Sequence, residues 1–306
     1  MTKQSKTKRL LALAALAAVA LTAFAPMASA APADTSCATK YPIVMVHGAG
    51  FRDMNLLVIN YWGRIPDLFE ARGAKVYYGN TDGWCSVEQG AADLKAAVNK
   101  VLAETGSAKV NIIAHSKGGL EARYMLSKLD MAEKVASLTT IATPHHGSKT
   151  MDSILTVPDF LLRAVGAVGN VVRYISSDKH PGFYEGVISL GTQYMADFNE
   201  KTPDAAGVYY QSFGAELYAP ASDIIMCIPA FVIKNNDGPN DGMVTVESAK
   251  WTNFRGVLRG AGYRGISHVD EVDLRRADVA IEPLLGATTM REFYAAVVAE
   301  LKTKGY

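Results

Sequence analysis

The sequence predicts an α/β fold in which a mostly parallel sheet carries helices on both faces. Two observations support this prediction. In the N-terminal half, short apolar runs alternate with stretches whose apolar residues recur at helical spacing. One of these runs leads into a helical pattern through a turn that contains a serine and two glycines, residues 116–119. At 306 residues the chain suits one large domain, and a hydrophobic share of 49% permits a substantial core.

The predicted elements follow one another in the order of a doubly wound sheet. In chain order they are a strand over residues 41–48, a helix over 65–73, a strand over 74–79, a helix over 87–106, a strand over 109–115, a helix after Ser116, a strand over 137–144 and a closing amphipathic helix over 288–305. In such a sheet, ligands bind at the loops that follow the carboxyl ends of the strands.

The N-terminus has the features of a secretory signal peptide. Four basic residues among the first nine precede an apolar stretch, and Ala28-Ser29-Ala30 supplies a small-residue cleavage site. We expect cleavage after Ala30, at the end of a 1–30 signal peptide, and a secreted single domain over 31–306 without a transmembrane anchor. The formal charge of +1 includes no basic block, which argues against a nucleic-acid partner.

The three cysteines Cys37, Cys85 and Cys227 allow at most one intramolecular disulfide in an exported protein. We favour Cys37 with Cys85, because both flank early strands. Three reduced thiols are the alternative, and the sequence leaves the connectivity open.

A region at about 151–177 differs in composition from the rest of the chain. As a helix it would be apolar on nearly all sides, with charge almost confined to Asp159, Arg163 and Arg173. Such a helix either lies in the core or covers an apolar surface. Its place after a strand-end loop and its glycines favour a movable helical lid.

Ser116 lies at the predicted strand-to-helix turn, within Ala114-His115-Ser116-Lys117-Gly118. In an α/β-hydrolase the nucleophile occupies such a turn in the motif G-x-S-x-G, whose first glycine is alanine here. An incidental serine in a glycine-containing turn is the alternative. A serine nucleophile also needs a base and a carboxylate that orients the base. Whether the rest of the chain supplies these residues decides between a catalytic and an incidental serine.

Candidates for the base and the acid follow from their order in the chain. Asp237 and Asp241, each followed by glycine, lie in a predicted loop after a late strand, and either can be the acid. His268 is the only one of the six histidines downstream of both, as the order serine, acid, histidine requires. The adjacent His145 and His146 lack the spacing of metal ligands.

An oxyanion hole needs two backbone N–H groups near the nucleophile. The residue after the serine, Lys117, supplies one, and the turn His47-Gly48-Ala49-Gly50 supplies the other, for which Ala49 is our candidate. Each donor typically changes the rate by about 10² to 10³.

With these pieces placed, the chain resembles the secreted bacterial triacylglycerol lipases of the Pseudomonas and Burkholderia type nearly end to end. The stretches that carry the resemblance are KYPIVMVHG, INYWGRIPDLFEARGAKVY, KVNIIAHSKGG, ATPHHGS, FNEKTP, NDGMV and SHVDEV. The resemblance implies a lid-covered α/β-hydrolase that acts on acylglycerols at a lipid–water interface, with Asp241 rather than Asp237 as the acid. Some relatives need a folding chaperone, and the sequence does not say whether this chain does.

The resemblance also implies a structural Ca²⁺ that steadies the loop bearing the histidine. Its ligands would be the carboxylates of Asp270 and Asp223 and the backbone carbonyls of Leu274 and Asp278, a set of hard oxygens that suits calcium and not zinc. A solvated loop acid is the alternative for Asp270. The chain departs from the family where Lys117 replaces a histidine, and no cysteine pair matches the family's disulfide.

Other functions are compatible with the same residues. A carboxylesterase, a phospholipase or a polyester depolymerase would use the same serine, acid and base on another substrate. A binding protein without catalysis is a third class, against which the complete set of reactive groups argues.

Overall fold

The computed structural model describes residues 33–50, 61–156, 158–160, 163, 178–180, 182–219, 223 and 238–306. Residues Asp34–Tyr306 form one compact unit. The signal-peptide prediction, Cys227 and Asp237 fall outside the described residues, as does most of the lid prediction. Within the described part of the chain, no helix combines the length and apolarity that a membrane span requires.

Among the described residues, six strands form one sheet in which every neighbouring pair is parallel. Its strands are β1 (Ile43–Val46), β2 (Val76–Tyr78), β3 (Val110–His115), β4 (Val135–Ile141), β5 (Tyr209–Glu216) and β6 (Phe254–Arg259), in the spatial order β2-β1-β3-β4-β5-β6. The chain passes from β1 outward to β2 and then back beside β1 to β3. This reversal confirms the predicted doubly wound α/β fold.

Helices connect the strands and flank the sheet. In chain order they are α1 (Ile65–Ala71), α2 (Val87–Thr105), α3 (Lys117–Lys128), the 3₁₀-helix Ala132–Lys134, α4 (Lys149–Leu155), α5 (Phe183–Ile188), α6 (Thr192–Lys201), α7 (Val246–Ala249) and α8 (Met290–Thr303). A hairpin of β7 (Ala280–Leu284) and β8 (Ala287–Thr289) precedes α8.

The helix ends have clear causes in the sequence. Ser86 begins α2 by accepting the Gln89 N–H, and Gly106 ends it in the left-handed conformation that glycine adopts at low cost. Thr289 begins α8 by accepting the Glu292 N–H. The limits of α2 and α8 therefore agree closely with the predicted helices.

The sheet is covered on both faces because its central strands are apolar on both. On one face, Met45 and Ile113 pack with Phe69 of α1 and Phe293 of α8. On the other face, the alternate residues of the same strands, such as Ile112, pack with α2 and α3. A strand buried on both sides reads as a continuous apolar run, which is what the predicted strands show.

The expected disulfide between Cys37 and Cys85 is not formed, and both residues are buried free thiols. The Cys37 Sγ lies 3.8 Å from the carbonyl oxygen of Ala295 in α8. The Cys85 Sγ contacts the carbonyl oxygen of Asp82 and the Lys117 ammonium, both at 3.6 Å. The two thiols have different partners in the packed molecule, which their shared proximity to early strands could not reveal.

Candidate active site

Ser116 occupies the turn between β3 and α3 in a conformation that side chains rarely adopt. Its φ of 53° and ψ of −131° place a residue other than glycine in a strained backbone region. A Cβ on Gly118 would lie 2.4 Å from the carbonyl oxygen of His47, and one on Gly119 would lie 2.1 Å from Thr143 Oγ1. The two glycines thus allow α3 to leave the sheet at close quarters, and the turn presents the serine hydroxyl.

The structure brings His268 and Asp241 to Ser116 from far apart in the sequence. His268 Nε2 is 2.9 Å from Ser116 Oγ, and His268 Nδ1 is 2.8 Å from Asp241 Oδ2. The other carboxylate oxygen, Asp241 Oδ1, accepts the N–H groups of Met243 and Val244 at 2.7 and 2.8 Å. Because both oxygens are engaged, the carboxylate is fixed against the histidine ring.

The loops that carry the acid and the histidine both lie beyond the carboxyl end of β5. The Leu217 N–H donates to the Asn240 carbonyl at 2.7 Å, and the Ile266 N–H donates to the Glu216 carbonyl at 2.8 Å. The His268 N–H donates to the backbone carbonyl of Asp241 at 2.9 Å, which joins the two loops directly. This edge of a parallel sheet is where ligand sites of such folds lie.

The residues expected to supply the oxyanion hole lie beside Ser116 in the chain or close to it in space. Lys117 is the first residue of α3, so no preceding helical turn accepts its N–H. Gly48 packs directly on Ser116, because a Cβ there would lie 2.6 Å from the Ser116 Cβ. The Gly48 N–H is occupied, since it donates to Tyr61 Oη at 2.9 Å. The N–H of the next residue, Ala49, has no acceptor among the residues that the structure describes.

A protein-family model described as the alpha/beta hydrolase fold matches residues 41–219, more than half of the chain. This chain belongs to the α/β-hydrolase family. The match includes Ser116 and ends before Asp241 and His268.

Curated relatives in the family include several that are named triacylglycerol lipase. Triacylglycerol lipase 2 of Saccharomyces cerevisiae is 30% identical over 82% of this chain and 76% of its own length. Triacylglycerol lipase of Burkholderia plantarii is 38% identical over 58% of this chain and 52% of its own length. The match therefore spans about half of the bacterial relative.

Two solved structures share the fold at low identity. The metagenomic carboxyl esterase MGS0156 aligns with a TM-score of 0.64 and 19% identity over 90% of this chain and 77% of its own. The Staphylococcus hyicus lipase aligns with a TM-score of 0.62 and 16% identity over 87% of this chain and 98% of its own. At such identities the likeness concerns the fold alone.

The side chain of Lys117 points away from the reacting groups. It is buried, forms an ion pair with Glu121 one helical turn later, and contacts the Cys85 thiol. Burial alone would lower the pKa of this ammonium, but the Glu121 carboxylate raises it above its ordinary value. The cation therefore stays charged inside the protein, where its partners are Glu121 and Cys85.

A second hydrogen-bonded chain lies behind the first, and sequence reasoning missed it. Tyr61 Oη is 2.7 Å from His115 Nδ1, and His115 Nε2 is 2.8 Å from Glu271 Oε2. If the Tyr61 hydroxyl accepts from Gly48 and donates to Nδ1, then Nε2 carries the proton of His115 and donates to Glu271. The His115 and His268 rings lie 4.5 Å apart.

Burial determines the charge states in this second chain. Burial, reinforced by the nearby His268, lowers the pKa of His115 well below its ordinary value, so the ring is neutral. Burial and then the charge of Asp241 raise the pKa of Glu271 well above its ordinary value, which favours the neutral acid. The sequence signal for these residues was a histidine inside an apolar strand and an acid beside Asp270, and neither is distinctive alone.

The residues expected to bind calcium are partly brought together. Asp223 and Asp270 are both buried, and they face arginine side chains. Leu274 packs half-buried against the core cluster that includes α8. Asp278 is exposed, and its hydrogen bond with Arg291 lowers the pKa of its carboxyl. The surroundings of the two buried aspartates decide whether a metal ion fits.

The adjacent histidines have structural partners. His145 is buried, with Nε2 3.0 Å from Thr140 Oγ1 and Nδ1 3.2 Å from Arg123 Nη1. Its ring stacks on Trp251 at 5.2 Å. Burial lowers the pKa of His145 well below its ordinary value, so it is a neutral core residue.

Proposed function

We propose that the chain is a secreted lipase that hydrolyses the carboxylic ester bonds of triacylglycerols through Ser116, His268 and Asp241. The single observation that carries this proposal is the pair of hydrogen bonds at 2.9 and 2.8 Å that links the serine hydroxyl, the histidine and the aspartate. Relatives named triacylglycerol lipase support the choice of substrate class. The leader-like residues 1–30 support export after cleavage near Ala30.

In the first half of the reaction, Ser116 Oγ attacks the ester carbonyl carbon while His268 Nε2 takes the hydroxyl proton. Asp241 holds the tautomer that leaves Nε2 free to accept and stabilises the imidazolium that forms. The N–H groups of Ala49 and Lys117 donate to the developing oxyanion. The tetrahedral adduct then collapses, the glycerol oxygen leaves with the proton from His268, and an acyl-serine ester remains.

In the second half, water attacks the acyl-serine carbonyl and gives its proton to His268. Collapse of this second adduct returns the proton to Ser116 Oγ and releases the fatty acid. Each half begins and ends with a neutral His268, so the cycle restores the enzyme.

The test is hydrolysis of an emulsified long-chain triglyceride and of a short soluble ester by the mature protein. Ser116→Ala should lower kcat on both substrates by at least about 10⁴-fold, as loss of a catalytic nucleophile does. Ser107→Ala is the matched control, because its hydroxyl donates to Lys109 at the opposite end of β3. Full activity of Ser116→Ala would refute the assignment of the nucleophile, and activity confined to the soluble ester would refute the lipase.

A lid over residues 151–177 gives the same experiment a second readout. A helix that covers the site in water and opens on an apolar surface predicts a jump in rate when the substrate passes its solubility limit. A rate that rises smoothly through that limit would leave the triad in place and remove the lid.

A further inference from the structure

Two arginines face the two aspartates that the resemblance assigned to calcium. Arg275 Nη2 is 2.6 Å from Asp223 Oδ2, and Arg264 Nη2 is 2.8 Å from Asp270 Oδ2. Each guanidinium also lies 3.7 Å from the other carboxylate. We call Arg264 and Arg275 the arginine pair, and Asp223 and Asp270 the aspartate pair. Together they form a closed network of two positive and two negative charges.

This network is a poor fit for a divalent cation. Calcium takes about six to eight oxygen ligands at roughly 2.3 to 2.6 Å. Asp270 Oδ2 already accepts the Ser267 N–H at 3.1 Å and the Ser267 hydroxyl at 2.8 Å in addition to Arg264. Guanidinium groups remain protonated at physiological pH, so a metal ion at these oxygens would be repelled by two adjacent positive charges.

Asp270 has one carboxylate oxygen that could accept a further ligand among the residues that the structure describes. Asp270 Oδ1 is buried and has no hydrogen-bond partner within the described part of the chain, and Arg275 Nη1 lies 3.7 Å from it. A single carboxylate oxygen beside a guanidinium does not make a calcium site. The aspartate side chains are fully buried, so their charges need partners, and the arginine pair supplies them.

We propose that the arginine pair takes the place of a metal ion between the aspartate pair and so holds the segment that carries His268. Three connections support this role. Asp270 is bonded to Ser267, the residue before the histidine. The Arg264 side chain also approaches Asp223, which lies beyond β5, with Nη1 3.7 Å from Asp223 Oδ2. Arg275 reaches across to Asp223, which follows β5 in the chain.

The arginine pair therefore ties both ends of the histidine-bearing loop to the segment beyond β5. The two arginines are positioning residues that act through Asp270 and Ser267. This inference rests on the proposed function only in taking His268 as the base. The ion network itself does not depend on catalysis, so binding and unfolding measurements test it separately.

The first test uses the mature wild-type protein with Ca²⁺ and with the chelator EGTA. We expect the same thermal unfolding midpoint and the same kcat under both conditions. We also expect no heat of binding when Ca²⁺ is titrated into metal-free protein without EGTA. A midpoint or kcat that falls with EGTA and returns with Ca²⁺ would overturn the proposal, because a metal ion would then hold the segment.

The second test removes the arginines. Arg275→Gln leaves Asp223 with weaker compensation, and we expect the unfolding midpoint to fall by roughly 6 to 12 °C. If the pair positions the histidine, kcat falls while KM stays within about twofold, and Arg275→Lys restores part of kcat. Equal kcat in wild type and Arg275→Gln would overturn the positioning role.

The double variant Arg264→Gln/Arg275→Gln makes the sharpest comparison. It removes both guanidinium groups that face the aspartate pair, so we expect Ca²⁺ to bind, raise the unfolding midpoint and recover kcat. Arg276→Gln is the matched control, since the side chain of Arg276 is exposed and has no ion pair among the described residues. If Ca²⁺ has the same effect on the double variant as on the control, the arginine pair does not stand in for a metal ion.

A failure of the proposed function would have a different signature. If Ser116→Ala kept full activity while the midpoint shifts and the Ca²⁺ response of the double variant appeared as expected, the arginine network would stand and the catalytic assignment would fall.

Discussion

Gly48 lies against Ser116, the proposed nucleophile, and the substitution Gly48→Ala tests that contact directly. The added Cβ would lie 2.6 Å from the Ser116 Cβ, 2.8 Å from Tyr61 Oη and 3.2 Å from Ser116 Oγ. Carbon atoms in contact normally lie about 3.5 to 4.0 Å apart. The serine and the turn at residue 48 must therefore separate by about 1 Å.

That displacement sets the expected magnitude. A misplacement of about 1 Å between reacting groups can cost about 10²-fold in rate. Overpacking also costs about 1 to 3 kcal/mol of unfolding free energy, which corresponds to a midpoint lower by roughly 2 to 12 °C. We expect kcat/KM on a short soluble ester to fall by about 10²-fold while the protein remains folded at 25 °C.

The assay compares initial rates and thermal unfolding of Gly48→Ala with those of Gly262→Ala. Gly262 is an exposed loop glycine whose added Cβ would meet no atom within 4 Å, so it controls for the substitution itself. A Gly48→Ala variant that kept the wild-type kcat/KM would refute the close approach of this turn to Ser116.

Three further predictions concern other parts of the site. Tyr61→Phe removes the hydroxyl that accepts the Gly48 N–H, and should lower kcat/KM by about 10-fold, whereas the exposed Tyr263→Phe should match wild type in the same initial-rate assay. Burial raises the pKa of the Cys85 thiol from 9.0 to about 12, so its thiolate fraction at pH 8 is about 10³ lower. After treatment with a thiol-alkylating reagent, mass spectrometry should find Cys85 unmodified in native protein but alkylated in denaturant. Equal labelling of both forms would contradict this burial. Asp241→Asn should lower kcat by about 10² to 10⁴, and Asp237→Asn should leave kcat unchanged. The reverse result would identify Asp237 as the acid.

The sheet and the turn that carries Ser116 could be predicted because they depend on local pattern. The apolar run of β3 and the helical spacing after Ser116 lie within a few residues of each other, and glycine is required where backbones nearly touch. The proposed base could be predicted by its order in the chain. The prediction required only that the histidine follow, in the chain, an aspartate that lies in a turn. In the structure, His268 lies against Asp241.

The remaining features depend on contacts between distant segments. Tyr61, His115 and Glu271 come from three separate regions of the chain, and no local spacing relates them. The two arginines that face Asp270 could not be predicted from the sequence either. They precede and follow it in a charged loop, where nothing indicates which side chains meet. The cysteine pairing failed for the same reason, since proximity to early strands says nothing about which thiols meet.

A covalent probe tests most directly whether Ser116 becomes acylated during the reaction. Mature protein would be treated with a long-chain alkyl phosphonate ester and the modified peptide located by mass spectrometry, with Ser116→Ala treated in parallel. We expect one phosphonate per chain, on the peptide that contains Ser116, and none on the variant. Modification of another residue, or of the variant to the same extent, would contradict it.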